Sequence, residues 1–478
     1  MSASYLHGVE TIQVEIGSRS IQVVKSAVIG LIGISPIGPK NEVVLVSNDR
    51  DAAQFGLQIP GFTIPQSLDA IFAQGAGTVL VVNVFDPAFH TTAVTAESHT
   101  VTDGGLRLSS APIGTVVVKD SAGAAVAYVL GTDYSIDEYG NFKVLSNLIA
   151  NGTVLKFDFK KLNVSAINGT VIAGSLDSGT GVRTGMFCYD LAFNTFGFNP
   201  KILIAPGFSG LSSVANTLIS ATTKYRAITY ISAPIGTTVA GAIAGRGPLG
   251  SINFNTSDKR VELLYPHIKK YDPDASSVAG TDVYINFDYS AFLAGIRASV
   301  DINEGFWVSS SNHEIKGTTG AERMISAGIS DPNSDANLLN AAGITTVFNT
   351  FGTGNRTWGN RNASFPVNTA ADSFMNIVRI NDIVDESLEQ AALPFVDKPI
   401  TQALIDTIRE AGNKFLRVLI GRGALIRGSV IKFNKEDNSA EELAAGHITF
   451  ERVIMGPTPA ERITFKSVLD ISLLSAIE

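Results

Sequence analysis

Six histidines and one cysteine are the side chains in this 478-residue chain best suited to ligate a metal or activate a nucleophile. The histidines are His7, His90, His99, His267, His313 and His447; none is spaced as a metal pair, and no H-E-x-x-H run or Cys/His cluster occurs. Cys188 has its next downstream histidine at His267, so it reads as a buried thiol rather than a nucleophile. Gly245-Arg246-Gly247-Pro248-Leu249-Gly250 matches the spacing of a dinucleotide fingerprint. That fingerprint needs a strand before it and a helix opening at its last glycine; here an Ala/Gly-rich stretch precedes it and Pro248 lies inside. Gly33 to Lys40 imitates a phosphate loop out of register, with Pro39 where the lysine belongs. Gly207-Phe208-Ser209-Gly210 lacks the spacing of a nucleophile elbow. The residues point to no catalytic, cofactor-binding or metal site, and the expectation is a protein that is not an enzyme and takes no cofactor.

Composition narrows the classes further. Hydrophobic residues make up 45% and charged residues 17%, which is apolar for a lone soluble chain and suits a surface covered by copies of itself. Net charge is −8 and no basic run exceeds two residues (Lys160-Lys161, Lys269-Lys270), so direct nucleic-acid binding is not expected. A single cysteine forms no intramolecular disulfide, in keeping with folding in a reducing compartment. Met1 to Gly8 has no positively charged start and no apolar signal core, so no signal peptide is expected, and the longest apolar stretch, Ala27 to Ile34, is too short to span a membrane.

The elements that would position these residues follow from periodicity. Val9 to Ile16 alternates, with Ile12, Val14 and Ile16 on one face, as a half-buried strand does. Ile21 to Ile34 is a continuous apolar run suited to a central strand. Val43 to Val46, Thr78 to Phe85, Lys201 to Pro206, Ala227 to Ser232 and Val261 to Tyr265 read as strands, and Ser67 to Ala73, Leu211 to Lys224 and Ala291 to Val300 as helices. Between Ala88 and Leu162 the texture changes to short strands: Thr115 to Val118, Ala125 to Leu130, Tyr134 to Ile136, Phe142 to Leu145 and Val154 to Phe159. Ile377 to Ala392 and Gln402 to Leu419 read as helices, the second with a stripe of Leu404, Ile408, Ala411, Phe415 and Leu419 and a start signal at Asp397 and Pro399. Its other face carries Asp406, Arg409, Glu410, Asn413, Lys414 and Arg417. Strands are expected near Ile448 to Ile454 and Ile463 to Leu469.

The fold class is therefore a mixed α+β and α/β multidomain chain: a discontinuous α/β core, an inserted small all-β, sandwich-like domain, and extended terminal arms. The divisions are 1–25 as an N-terminal arm, 26–88 with 165–345 as the core, 89–164 as the insert, 346–446 as a C-terminal domain and 447–478 as C-terminal strands.

Three words recur in order between Ala342 and Thr401: Ala342-Gly343-Ile344-Thr345-Thr346, Thr357-Trp358-Gly359-Asn360-Arg361 and Asp397-Lys398-Pro399-Ile400-Thr401. With His7-Gly8-Val9, Ile202 to Phe208, and Leu293 to Ser310 carrying Arg297, Asp301, Gly305, Phe306 and Trp307, they resemble contractile tail sheath proteins over about residues 5–88 and 165–475. The resemblance implies a helical homo-oligomer built of hexameric rings around an inner tail tube protein, capped by baseplate and tail terminator proteins. It implies a virion tail component assembled in the host bacterial cytoplasm, stored extended and metastable, and contracting without nucleotide. The arms, with Ile12, Val14, Ile16, Ile463 and Phe465, would form an intersubunit mesh by strand addition, flexing at Gly17, Ser18 and Gly446. The helix over Gln402 to Leu419 would face the tube, with Arg409, Lys414 and Arg417 gripping an acidic surface; a solvated helix face is the alternative. Trp358, Gly359, Asn360, Arg361, Asp397 and Pro399 would be structural. Another virion structural protein, at the baseplate or surface, or an α/β enzyme remain as rival readings.

Overall fold

A strand buried on both faces must be apolar throughout, and Ile29–Gly33 (β1) is such a strand. In the computed structural model, which describes residues 21–126, 128–272, 276, 281–349, 352 and 354–476, it lies inside an eight-stranded sheet. The other strands are Val43–Val46 (β2), Val79–Asn83 (β3), Ile202–Ile204 (β4), Ile228–Ser232 (β5), Val261–Leu264 (β6), Ile344–Asn349 (β7) and Asn355–Trp358 (β8). Their order is β8-β7-β6-β5-β4-β1-β3-β2. The inner six run parallel and the two edge strands antiparallel. Alternate residues feed two cores. Ile29, Leu31, Val79, Ile202 and Ile204 meet the helices Ile64–Ala73 (α1) and Tyr289–Asn303 (α3). Val28, Ile32, Leu80 and Leu203 meet Tyr189 and the helix Ser212–Tyr225 (α2). The small residues of α3 let it approach α1: a Cβ at Gly295 would stand 2.8 Å from the Ile71 carbonyl. β7 straddles the division expected at residue 345, because the sheet recruits this strand as a neighbour of β6.

Residues 91–162 form two three-stranded antiparallel sheets. Thr91–Thr100, Val154–Leu162 and Ile113–Lys119 make one; Gly105–Arg107, Asn141–Val144 and Tyr134–Ile136 make the other. Leu155, Phe157 and Phe159 of the first share a cluster with Tyr134 and Phe142 of the second, the Phe142 and Phe157 rings meeting edge to face at 5.5 Å. The strand Thr91–Thr100 carries no apolar alternation, and a bulge between Val94 and Glu97, with Ala96 at φ +55°, breaks its register. Ala125 to Leu130, expected as a strand, contributes two isolated bridges among its described residues.

The C-terminal layer is built from the helices Met375–Ala392 (α4) and Gln402–Gly421 (α5) and the strand pair Val430–Lys432 with Glu451–Val453. Ile377, Ile380, Ile383 and Val384 of α4 pack against Phe415, Leu416 and Leu419 of α5. The other flank of α4 is acidic and meets cations placed just before three parallel strands. Lys201 pairs with Glu386, Arg260 with Asp382, and Arg226 with Glu389 and with Asp385 at 3.4 Å. Deeper in, Asp301 is shared by Arg297, at 2.6 Å, and Arg379, all three buried.

Four expectations are corrected here. Thr401, not Asp397 with Pro399, starts α5: its hydroxyl accepts from Leu404 N at 3.2 Å, while Asp397 and Pro399 lie exposed in the preceding loop. The buried stripe of α5 is Ile405, Gly412, Phe415, Leu416 and Leu419, rotated from the expected one because α4 and Ile431 cover it from one side. Asn413 accordingly leaves the solvent face and bonds both backbone groups of Ile431, at 2.9 Å each. Ile463 to Leu469 takes no strand within the chain, and Ile448 to Ile454 keeps only Glu451–Val453. Ile12, Val14 and Ile16, with Gly17 and Ser18, lie outside the described residues.

Two outcomes follow from the buried charges. Asp301→Asn leaves two buried guanidiniums without their shared carboxylate and should cost about 3–5 kcal/mol, read as a lowered urea midpoint. Glu262 of β6 accepts from the Thr345 hydroxyl at 2.6 Å and leaves its second oxygen without a partner. Burial pushes its carboxyl up to about 7, against the opposing pull of Thr345, Arg297 and Arg379. Because the folded value lies above the unfolded one near 4.5, this group's contribution is full below pH 4.5 and is lost as pH rises through about 7. The loss should amount to about 3 kcal/mol. Glu262→Gln should remove that slope from a plot of unfolding free energy against pH.

Candidate functional site

Parallel sheets hold ligands outside the carboxyl ends of their strands, where the winding reverses. Here the reversal lies beside β1, and the crevice is occupied by the chain's own groups. Thr63 Oγ1 accepts from Ile34 N at 3.2 Å and would stand 2.3 Å from a Cβ placed on Gly33. Asp288 accepts from Gly207 N at 2.7 Å, from the Ser232 hydroxyl at 2.5 Å and from Ser290 N at 2.9 Å. The backbone donors of Ile34, Gly207 and Ser290 are spent on these side chains and not left for an anion. The Gly245 to Gly250 turn follows a helix, Val239–Ala244, and not a strand. Its Arg246 reaches the carbonyls of Ala342, Phe254, Thr256, Ala363 and Phe365 at 2.6–3.0 Å, so it ties loops together.

The titrating side chains are similarly engaged. Cys188 is buried, and burial with nearby Asp190 pushes its thiol up to about 11, far from a nucleophile's range. His99, His313 and His447 each face a glutamate, Glu97, Glu304 and Glu442, and His267 bonds the Ala233 carbonyl. Among the described residues no group of three or more His, Cys, Asp or Glu is placed to hold a metal ion. No described helix is long and apolar enough to cross a membrane.

The geometry gathers instead around the Trp358 word. Trp358 stacks on Phe348, ring centroids 4.4 Å apart and 17° from parallel. Gly359 sits at φ +141°, and a Cβ there would stand 2.8 Å from the Thr345 Cα, so glycine is required. The Asn360 carbonyl accepts from Met375 N at 3.1 Å, joining this edge to the first residue of α4. Arg361 lies 3.6 Å over the Phe374 ring and 4.7 Å over that of Phe365. It donates to the Ser373 hydroxyl at 2.5 Å and forks onto Glu461, at 2.9 Å and 2.5 Å. Glu461 lies 100 residues along the chain, and nothing in the local sequence marks it as the partner.

Two exposed features stand apart from this internal economy. On α5, Arg409 is paired with Asp406 at 3.0 Å and Glu410 at 3.6 Å. Lys414 and Arg417 are exposed without an ion pair among the described residues, and so are Arg422 and Arg427 just beyond the helix. The last two were not anticipated, since they fall after the periodic stretch. The second feature is the C-terminal segment: Ile463 is 71% exposed, Phe465 90% and Leu469 96%. A groove of about 650 Å³ also opens between α4 and α5, lined by Ile21, Leu388, Ile408, Ala411, Phe450 and others.

Comparison with known proteins bears on these surfaces. A family described as the phage tail sheath protein central domain matches residues 183–363. The tail sheath protein of Burkholderia phage BcepMu is 44% identical over 483 aligned residues, covering 100% of this chain and 99% of that protein. The tail sheath protein of Escherichia phage P2 is 26% identical, covering 97% of this chain and 95% of that one. Among solved structures, the sheath complex of an extracellular contractile injection system, PVC, in its contracted state superposes with a TM-score of 0.60. It is 14% identical and spans 99% of this chain and 100% of that one, a likeness of fold. At 44% identity over its whole length, this chain belongs to the phage tail sheath proteins and is a structural subunit of a contractile tail.

Proposed function

We propose that this chain polymerises as stacked six-subunit rings around an inner tube, waits in an extended metastable state, and contracts to drive the tube through a host envelope. The observation that carries the reading is the C-terminal segment, whose Ile463, Phe465, Val468 and Leu469 are exposed without cover from their own chain. A surface of this kind is stable when a second copy buries it. On this reading the covering patch is a different part of the second copy, so the contact is heterologous and propagates into rings and helices rather than a closed dimer. The arm contributes main-chain hydrogen bonds to a neighbour's strand edge, and the edges of the Val430–Lys432 and Glu451–Val453 pair offer such a site. Residues Ile12, Val14 and Ile16 at the other end supply the second thread of the mesh.

Lys414 and Arg417, joined by Arg422 and Arg427, form the grip on an acidic tube surface, while Arg409 is neutralised by its own helix and serves α5 locally. Exposed pairs are individually weak and screened by salt, which suits a grip that must release. The 91–162 sheets form an inserted all-β domain on the outer side of the assembly. Baseplate and terminator proteins bound the polymer, which is assembled in the host bacterial cytoplasm and carried in the virion. The subunit performs no catalysis.

Negative-stain electron microscopy of the purified protein should show hollow striated tubes, and deletion of residues 463–478 should abolish them. A uniform small oligomer at every concentration and salt would overturn the polymer reading. Lys414→Glu with Arg417→Glu should leave self-assembly intact yet lower affinity for the inner tube by about tenfold at low ionic strength, the difference shrinking as salt rises.

A further inference from the structure

From Ile454 the chain takes no regular structure until a short 3-10 segment at Ile471–Ala476, yet its first residues are held to the body. The Met455 carbonyl accepts from Ile426 N at 2.8 Å, and the Pro457 carbonyl from Asn376 Nδ2 at 3.0 Å. Gly456 packs so closely on α4 that a Cβ would stand 2.4 Å from Ile380 Cδ1. The next anchor is the Arg361–Glu461 fork, and from residue 462 to residue 472 every residue is exposed. Among the described residues the fork is thus the last ion pair before the chain leaves.

We propose that Arg361 and Glu461 form a surface latch that fixes the root of the C-terminal segment on the body and sets the direction in which residues 462–476 depart. Its destination, a second copy, rests on the function proposed above. The two halves of the latch differ in rigidity. Arg361 is clamped by Phe374, Phe365 and Ser373, and its residue bridges the strand-like stretch at Phe374, so the guanidinium is presented in one orientation. A planar fork matches a carboxylate in two parallel bonds and therefore fixes angle as well as distance. Glu461 is the movable half: it is part-exposed, and it lies in irregular chain tethered at Gly456 and Pro457. A pair at the surface is weakened by salt and can open without disturbing the core beneath it, whereas Arg297, Arg379 and Asp301 cannot. The latch lets the arm swing as a unit about its root while α4 and the sheet stay fixed.

The test uses the unpolymerised full-length chain. Cys188 is buried, so a nitroxide can be placed selectively on an exposed Thr458→Cys inside the root, or on Ile463→Cys beyond the latch. The label at 458 should report restricted motion, and Glu461→Lys should shorten its correlation time about three- to tenfold. Glu461→Gln and Arg361→Lys, which spoil the charge or the fork alone, should fall between. Molar salt should loosen the label in the unsubstituted latch and change nothing in Glu461→Lys. The label at 463 should be mobile throughout. Equal restriction at 458 in every variant and at every salt overturns the latch. Tube formation by the 463–478 deletion is scored separately: a loosened root with tubes intact in the deletion supports the latch and removes the arm reading.

Discussion

The docking of α4 is the constraint on which the rest of the molecule depends. Its apolar side holds α5 and the C-terminal strand pair, and its acidic side meets Lys201, Arg260 and Arg226 at the starts of β4, β6 and β5. Three parallel neighbours are each preceded by a cation, and all three cations reach acids on one flank of the same helix. The Lys201–Glu386 and Arg260–Asp382 pairs are largely buried, and buried ion pairs return little net stability once desolvation is counted, so their contribution is geometric. The pairs select one angle between the helical layer and the sheet, and the Arg297, Asp301 and Arg379 cluster locks it from within.

A contracting array asks for this. If each subunit yielded internally, rearrangement at the surfaces would dissipate inside the protein instead of moving the neighbours. The chain separates the two demands by where it spends polar groups. Asp288, Arg246 and Thr63 consume backbone donors and acceptors inside, which leaves the carboxyl-end crevice filled and the loops tied. Lys414 and Arg417 of α5, without an ion pair among the described residues, and the apolar C-terminal segment are left at the surface.

Sequence periodicity disclosed the layers that bury both faces of a strand. Val43–Val46 and Tyr134–Ile136 lie where alternation or β-branching placed them, α2 differs by one residue at each end, and α4 differs only at its start, by two residues. Thr91–Thr100 was invisible because the residues opposite Leu155, Phe157 and Phe159 are His99, Glu97 and Val94, so most of the apolar signal sits on the partner strand. The stripe of α5 was misread because sequence gives a period but not the side from which a second helix arrives. Lys414 and Arg417 were legible as exposed charge, but the neutralisation of Arg409 depends on side-chain geometry that spacing alone leaves open. Glu461 was beyond reach, since its meaning comes from a residue 100 positions away.

Both ends of the described chain cross α4. Val24 N donates to the Ser387 hydroxyl at 3.2 Å and the Ser26 carbonyl accepts from Arg379 at 3.3 Å, while Gly456 and Pro457 lie against Ile380 and Asn376, within a turn of Arg379. If both terminal segments act as threads, as proposed above, roots on one rigid helix would keep them at a fixed separation. A lattice whose connections start from such paired roots can change its pitch and radius by reorienting the threads, and no subunit need lose its place in the order. Threads rooted on separate, relatively mobile layers would stretch unequally as the array shortened, and the connection under greater strain would part first. On that proposal the docking of α4 would do for the assembly what it does for the subunit: hold the joints in register while the motion takes place outside the body.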